Sequence, residues 1–380
     1  MPAHRPRATR HPIMTARQAP DAPDRAAAGA FHPLPLSPDL AGALRRALLA
    51  LPERPERVGV AVSGGADSAM LAVHAAAVGR ELGIGIALFH VHHGLMADAD
   101  EWGRQVRALA GLLALPVFEA RVQVELAGGK GIEAAARDAR YAALAQLARG
   151  QGTSHVLLAH HRNDQAETVI LRLLRGTGLS GMAAMAPVSR RDGVAYVRPW
   201  LDIGREAILR AAEAVETACG WRPVQDPTNA DPRYTRAALR QLLAPVLDAR
   251  WPGWRAIVAR HARHMADAAE ILDEVAREDF AALEPSPDGA SFSLRAWRGL
   301  SEARQAHVLR HWLERNGARM PTDARMRDLL RQLRGLHSLG HDRQLRVEQA
   351  GHVIRCHRGR VWVEPREPGA AAHAPGNSPD

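Results

Sequence analysis

From about residue 56, apolar and polar positions follow a repeating pattern. Arg57–Val62 is a short apolar run, followed by a glycine loop and a helical stretch, Ser68–Leu82. Ile84–Val91 is a second apolar run, and a polar helix follows near Asp98–Leu113. Val117–Val124 reads as a third strand. Ile132–Leu147 reads as a helix, with Ala, Leu and Tyr on one face and Arg on the other. His155–Ala159 is a fourth strand, with a helix at Asp164–Leu174 behind it. Strands alternating with helices of this length predict βαβ units and a parallel sheet. Ligands of such sheets bind beyond the carboxyl ends of the strands.

After about residue 205 the alternation stops. Arg205–Cys219 and Thr235–Met265 read as helices. Ser301–Asn316 reads as a helix with a serine cap and Gly317 past its end. Another helix is expected at Thr322–Leu333, with Gly335 shortly after. Gln344–Gln349, His352–His357 and Arg360–Glu364 alternate and are split by Ala350-Gly351 and Arg358-Gly359. That pattern predicts a small β-meander.

A single hydrophobic core stops growing at roughly 250–300 residues. The chain has 380 residues, so two domains plus tails are expected. The divisions are a tail over 1–38, an α/β domain over 39–245, a mainly helical domain with the meander over 246–366, and a tail over 367–380. At 46% hydrophobic and 24% charged residues, the composition excludes a fibrous or wholly disordered chain. No apolar run approaches the roughly 18–20 residues that span a bilayer. The N-terminus lacks the apolar segment of a secretory signal. Cys219 and Cys356 stand far apart and form no CxxC, which argues against a disulfide framework and points to a reducing cytoplasm.

The net charge is +9, carried almost wholly by arginine, with Lys130 the sole lysine. A GC-rich genome accounts for the preference for arginine but not for the excess of base over acid, which points to a polyanion. Residues 222–264 hold eight arginines and three acids, with Trp251 and Trp254 interleaved and Trp221 just before. Arginine and tryptophan together suit phosphate contact and base stacking. A solvated helix face with core tryptophans would give the same pattern.

Four motifs carry candidate chemistry. The first is Ser63-Gly64-Gly65-Ala66-Asp67-Ser68, between a strand and a helix. Adjacent glycines let the backbone approach a ligand closely, and the helix that follows offers free N–H groups to an anion. Asp67 is out of place in an anion site unless it holds a cation such as Mg²⁺. There is no Gly-Lys-Ser/Thr, so this is not a Walker A loop. The bland alternative is a tight turn with Asp67 or Ser68 as N-cap.

The second motif is His160-His161-Arg162-Asn163-Asp164-Gln165-Ala166-Glu167-Thr168. Helical spacing puts Asp164 and Glu167 on one face, able to share a metal or steer an amine. Local sequence favours a capping box that starts at Asp164. The third is Arg175-Gly176-Thr177-Gly178-Leu179-Ser180-Gly181. It follows a helix, so it is not a dinucleotide fingerprint; a loop contacting a bulky substrate and a plain helix-ending loop both fit. The fourth is His90-Val91-His92-His93-Gly94-Leu95, with His90 and His92 on one face. Nucleotide-edge contact or a structural role fits better than zinc, since no thiol or acid accompanies the histidines.

The first motif resembles the Ser-Gly-Gly-x-Asp-Ser signature of the PP-loop (N-type) ATP pyrophosphatases. All four, in their order along the chain, are similar to the tRNA(Ile)-lysidine synthases. Gly131–Tyr141, Arg198-Pro199-Trp200-Leu201 and Asp226-Pro227-Thr228-Asn229 support the likeness over about residues 56–245. It continues more faintly through residue 364, where Leu309–Leu313 and the meander resemble that family's second domain.

The resemblance implies an adenine nucleotide alpha hydrolase-like α/β domain. It implies an enzyme, a ligase that adenylates C2 of the wobble cytidine of a CAU-anticodon tRNA(Ile) with ATP. Free L-lysine then displaces AMP, forming lysidine and changing the codon read from AUG to AUA. Carried over motif by motif, Ser63, Gly64, Gly65, Ala66, Asp67 and Ser68 hold ATP, with His90 and His160 beside it. Asp67 holds Mg²⁺, with Asp164 or Glu167. Asp67, Asp164, Glu167 and Arg140 are the catalytic set. Arg175, Gly176, Thr177, Gly178, Arg236 and Arg240 meet tRNA. A homodimer is among the expectations.

Two departures stand out. The family's Arg-Asn-x-Ile/Leu-Arg reads here as Arg236-Ala237-Ala238-Leu239-Arg240, and an additional C-terminal domain carried by some members has no counterpart before residue 380. Two rival functions are a cytidine thiolase of the same superfamily, which typically needs cysteines near the site, and a non-catalytic ATP-dependent RNA-binding protein, which has no use for Asp67 and the Asp164/Glu167 pair.

Overall fold

The computed structural model describes residues 16–18, 34–92, 99–122, 132–225, 231–336, 345–349 and 351–366. His93-Gly94-Leu95, Lys130-Gly131, Asp226–Asn229 and the tail over 367–380 lie outside the described residues. The chain divides into two compact units, Met1–His264 and Met265–Asp380.

The first unit is built on β1 (Ala16–Gln18), β2 (Arg57–Ala61), β3 (Gly85–His92), β4 (Val117–Arg121), β5 (His155–Leu157), β6 (Val188–Arg191) and β7 (Val194–Val197). Their order across the sheet is β1-β4-β3-β2-β5-β7-β6. The five central strands are parallel, and β1 and β6 run antiparallel at the two edges. Ala16–Gln18 thus lies within the stretch expected to be a tail but takes part in the sheet.

Side-chain alternation explains why this sheet is covered twice. Val58 and Val60 of β2, Ile86 and Leu88 of β3, Leu157 and Val197 face a layer made by α1 (Pro38–Leu49), α2 (Ala66–Leu82), α3 (Ala99–Leu113) and α7 (Arg205–Cys219). The alternate positions Ala87, Phe89, Ala120, Val156, Leu158, Val194 and Tyr196 face α4 (Ile132–Gly150), through Tyr141, Leu144, Leu147 and Ala148. A parallel strand buried on both faces must be apolar at every position, which is why these runs are short and nearly continuous in the sequence. Gly59 marks the closest packing. A Cβ there would lie 2.1 Å from the Phe89 ring.

Helix starts differ slightly from the sequence reading. α2 begins at Ala66, two residues before the expected Ser68, because Gly65 and not Asp67 or Ser68 is its N-cap. The β6–β7 hairpin is not anticipated, although Asp192 and Gly193 both have positive φ (52° and 79°), as a two-residue primed turn requires. α5 (Arg162–Leu174) and α6 (Leu179–Met182) precede the hairpin.

The expected helix over Thr235–Met265 is broken. α8 (Thr235–Ala238) passes into a π-helical turn, Leu239–Leu243, and then into α9 (Ala244–Arg250). The Ala244 N–H bonds to the Leu239 carbonyl, one residue further back than in an α-helix. Pro245 follows at once and has no N–H to restore the usual register. Residue 245, the expected division, lies inside α9. After Gly253, at φ 82°, α10 (Trp254–Ala282) runs seventeen residues beyond Met265.

The second unit packs α11 (Leu294–Arg298), α12 (Glu302–Arg315) and α13 (Asp323–Gly335) against an antiparallel sheet. That sheet is β8 (Ser291–Ser293), β11 (Arg360–Pro365), β10 (His352–His357) and β9 (Leu345–Gln349), in that order. The meander is present as expected, and β8 adds a fourth strand. Trp297, Trp312 and Phe292 are fully buried at its centre, with the rings of Phe292 and Trp312 edge to face at 5.0 Å. Ser301 sits at the N-cap of α12 without a side-chain bond, whereas the Thr322 hydroxyl accepts from the Arg325 N–H at 3.4 Å. Gly335 is the last residue of α13, not a residue beyond it.

Gly59→Ala is expected to destabilise the first unit by roughly 1–3 kcal/mol, the cost of overpacking a core. Thermal unfolding measures it. Phe89→Leu in the same chain should recover part of the loss, because it removes the ring atoms that the new methyl meets.

Candidate active site

The chain moves outward from β2 to β3 and β4 and then returns to the other side of β2 for β5 and β7. At such a reversal two neighbouring strands send their following loops in opposite directions and leave a crevice at their carboxyl ends. The glycine loop leaves β2 and the His160-His161 segment leaves β5, so both open at this point.

Gly64 has φ 94°, a left-handed conformation that glycine adopts without strain. Its carbonyl accepts from the Val224 N–H at 2.9 Å, and a Cβ on Gly64 would stand 3.1 Å from the Val224 side chain. The Ser68 hydroxyl donates to the Gly65 carbonyl and accepts from the Ser63 N–H, both at 3.1 Å, and lies 3.1 Å from the Ser63 hydroxyl. Ser63 is exposed and Gly64 and Ser68 are buried, with Gly65, Ala66 and Asp67 between. The loop is therefore braced by its own hydroxyls at the start of a seventeen-residue helix, whose first N–H groups lack intrahelical partners.

The second motif corrects the sequence reading. The capping box of α5 is formed by His161 and Asp164, not by Asp164 and Glu167. His161 Nδ1 accepts from the Asp164 N–H at 3.4 Å, and the Asp164 carboxylate accepts from the His161 N–H at 3.1 Å. Asp164 stands at the third helical position, which frees Glu167 for another partner. The other ring nitrogen, His161 Nε2, lies 3.6 Å from Asp67 and 3.5 Å from Asp164. One buried imidazole thus links the carboxylate of the glycine loop to that of α5.

Arg205, the first residue of α7, donates to Asp67 at 3.3 Å. Burial pushes the Asp67 carboxyl up, but the hydrogen bond and charge of His161, together with Arg205, outweigh it and hold the group below its usual range. Glu167 accepts two bonds from Arg240, at 2.7 and 2.9 Å, and the same guanidinium reaches Asp164 at 3.3 Å. Arg236 donates to the Thr168 hydroxyl at 3.2 Å and lies 3.8 Å from Asp164.

Beside this acidic cluster stands a basic one. Half-buried Arg140 has its charge opposed by burial, then by Arg137 and Arg236, with the Tyr141 hydroxyl acting the other way. The Arg137 and Arg140 guanidiniums lie 5.4 and 5.9 Å from the Tyr141 ring centre. Burial, and then the charges of Arg140, Arg198, Arg137 and Arg236, hold His160 well below the usual imidazole range, so its ring is neutral at pH 7.

The remaining expected residues are placed less centrally. His90 is buried and its Nδ1 bonds the Val62 carbonyl at 2.8 Å, beneath the glycine loop. His92 lies 3.3 Å from Asp100. Arg175, Gly176, Thr177 and Gly178 form an exposed loop that ends α5, where Thr177 bonds back to the Arg172 carbonyl and Gly176 has φ 68°. Buried Gln165 anchors the stretch after it, exchanging two bonds with the Met185 backbone at 2.9 and 3.0 Å.

Sequence reading did not single out His161 or Arg205. A signal for His161 exists, since it precedes Asp164 by the three residues of a capping box. No local signal marks Arg205, which reaches Asp67 only because α7 packs beside α2.

The fold and the site define a PP-loop protein. Residues 41–247 match the family described as the PP-loop domain, and residues 292–362 match the TilS substrate binding domain. A tRNA(Ile)-lysidine synthase of Bordetella parapertussis is 67% identical over 337 residues, spanning 87% of this chain and 98% of the relative. One from Bordetella pertussis is 68% identical over 318 residues, spanning 84% and 99%. One from Ralstonia nicotianae is 43% identical, spanning 85% of this chain and 66% of the relative. The chain belongs to the tRNA(Ile)-lysidine synthase family of enzymes. Among solved structures, a U34-tRNA thiolase from Methanococcus maripaludis aligns with a TM-score of 0.49 at 14% identity, covering 60% of this chain and 78% of that one.

The depressed basicity of His160 gives a pH prediction. Below about pH 6.5 the unfolded imidazole takes a proton that the folded one refuses. Stability is therefore complete above that pH and falls as the pH drops. His74 and His90, both lowered by burial, act in the same direction. Tm should decline between about pH 7 and about pH 5, and His160→Gln should flatten part of that slope. An equal slope in the variant would remove His160 from the account.

Proposed function

We propose that the protein joins free L-lysine to C2 of the wobble cytidine of tRNA(Ile) with a CAU anticodon, converting ATP to AMP and pyrophosphate. The product, lysidine, would change the codon read from AUG to AUA. One observation carries this reading. The glycine loop and the acidic pair of α5 open at the same end of the sheet, joined through His161.

The chemistry needs two displacements. The C2 oxygen of cytidine attacks the α-phosphorus of ATP and expels pyrophosphate. The lysine ε-nitrogen then attacks C2, and AMP leaves with that oxygen, so a poor leaving group has been exchanged for a good one. The ammonium loses one proton to become nucleophilic and a second as the C–N bond forms. Ser63, Gly64, Gly65, Ala66 and Ser68 form the phosphate cradle. Asp164 and Glu167 receive the ammonium and are within reach to take its proton. Arg140 and Arg236, among the cations that flank His160, meet the phosphate charge. Neutral His160 offers a ring nitrogen to the base or nucleotide, and buried His90 supports the loop from below. The exposed Arg175, Gly176, Thr177 and Gly178 contact the RNA.

A divalent cation fits Asp67. Among the described residues no three His, Cys, Asp or Glu side chains gather to hold a metal. Mg²⁺ needs none, since one or two carboxylates, phosphate oxygens and water suffice for it. Asp67, with Asp164 or Glu167 nearby, would hold it, and when bound it neutralises phosphate charge. The reaction belongs in the cytoplasm with its substrates, and among the described residues no helix is long and apolar enough to cross a membrane.

The direct test is incubation with ATP, labelled lysine and a CAU-anticodon isoleucine transcript. Label should enter the RNA, and pyrophosphate release should require both lysine and RNA. Asp67→Asn should abolish turnover while leaving the fold intact by circular dichroism, with at most a modest fall in Tm from the lost His161 and Arg205 partners. Release without RNA dependence would leave only the superfamily reading. tRNA affinity should also fall steeply with salt, because arginine–phosphate contacts release counterions. A flat response in a filter-binding titration would contradict the basic-surface argument.

A further inference from the structure

Arg240 was expected to touch RNA phosphate, yet its guanidinium is committed elsewhere. It spans both carboxylates of α5, bidentate on Glu167 and in reach of Asp164. The Glu167 side chain is only 6% exposed and that of Asp164 14%, so two nearly buried acids share the Arg240 cation, with Arg236 at 3.8 Å and His161 also beside Asp164. Burial works against the Arg240 charge, but the bond to Glu167 and the charges of Glu167 and Asp164 more than compensate.

We propose that Arg240 is a built-in counter-ion that holds the place of the lysine ε-ammonium and competes with it for Asp164 and Glu167. This rests on the assignment of that acidic pair to the amine. Without Arg240 the Glu167 carboxylate would be buried with no paired cation beside a second acid, at a cost in desolvation and repulsion. Arg240 removes that cost in the free enzyme. A guanidinium does not give up its proton at physiological pH, so while Arg240 is in place it occupies the carboxylate oxygens without offering them a proton to take. An ammonium that replaces it can lose a proton to the same oxygens. The oxygens meet a transferable proton only when the amine has arrived.

The element that carries Arg240 suits such a displacement. It is the π-helical turn Leu239–Leu243, a register fault set by Pro245, whose outer residues Leu242 and Leu243 are 69% and 36% exposed. π-turns recur at functional sites, where one residue of slack lets a side chain be re-aimed. Arg236, one turn earlier, holds Thr168 and stays near Asp164 when Arg240 leaves.

The test compares Arg240→Gln and Arg240→Lys with the natural protein, varying lysine, ATP and tRNA separately. An internal competitor lowers apparent affinity by the fraction of time the site is free. Its removal should lower the lysine KM by about tenfold, with the KM values for ATP and tRNA within about twofold. Arg240→Lys keeps a competing cation and should return the lysine KM toward the natural value. Equilibrium dialysis with labelled lysine should show the same gain without turnover.

An unchanged or raised lysine KM in folded Arg240→Gln would overturn the proposal. So would a raised tRNA KM with a reduced salt slope, which would make Arg240 a phosphate contact. Should the variant not fold, a crystal of the natural protein with lysine decides. Arg240 displaced from Glu167 supports the proposal, and lysine bound with that pair intact overturns it. If the natural protein neither incorporates nor binds lysine, the functional reading fails and this proposal with it; lysine incorporation with no gain in folded Arg240→Gln overturns this proposal alone.

Discussion

Parallel pairing of β2 with β5, through Gly59 with Val156 and Val60 with Leu157, decides where everything else goes. The two strands are ninety-four residues or more apart in the chain, yet their carboxyl ends emerge side by side. One delivers the glycine loop at the start of α2. The other delivers a helix that begins with a histidine and two acids. Neither loop has the chemistry alone. The register of this pair sets whether His161 can reach Asp67 while capping Asp164, and Gly59 permits it by leaving room for the Phe89 ring.

Around that junction charges are arranged by sign. Asp67, Asp164 and Glu167 are each answered by an arginine or by His161. Arg140, Arg137, Arg198 and Arg236 instead crowd a neutral histidine. Buried charge is tolerated only when paired. The acidic half of the site is thus balanced in the free protein. In the basic half, Arg137 and Arg140 have no carboxylate partner among the described residues.

Much of this was legible in the amino-acid pattern. The glycine loop, the acidic spacing on α5 and the βαβ alternation are local signals, since each depends on residues within a turn or two of each other. Arg205–Cys219 and His352–His357 match their predicted limits for the same reason. What was not legible depends on distant packing. Arg205 meets Asp67 across 138 residues, and Arg240 meets Glu167 across 73. The break in the long C-terminal helix of the first unit had a visible cause, Pro245, but proline is also common in a first helical turn. The Asp192-Gly193 turn was an overlooked local cue, and the Asp-x-x-Glu spacing was a misread one, because a histidine took the cap.

The sheet closes on each side with a short strand running against the rest, three residues in β1 and four in β6. β6 carries Arg190 and Arg191, and its outer border is brief and charged. Long, flat, apolar borders invite strands from other molecules. Here the apolar parallel strands of the first unit lie inside the sheet and not at its border. The same fringe guards the slow-forming interior against clumping while the distant strands of the chain find each other.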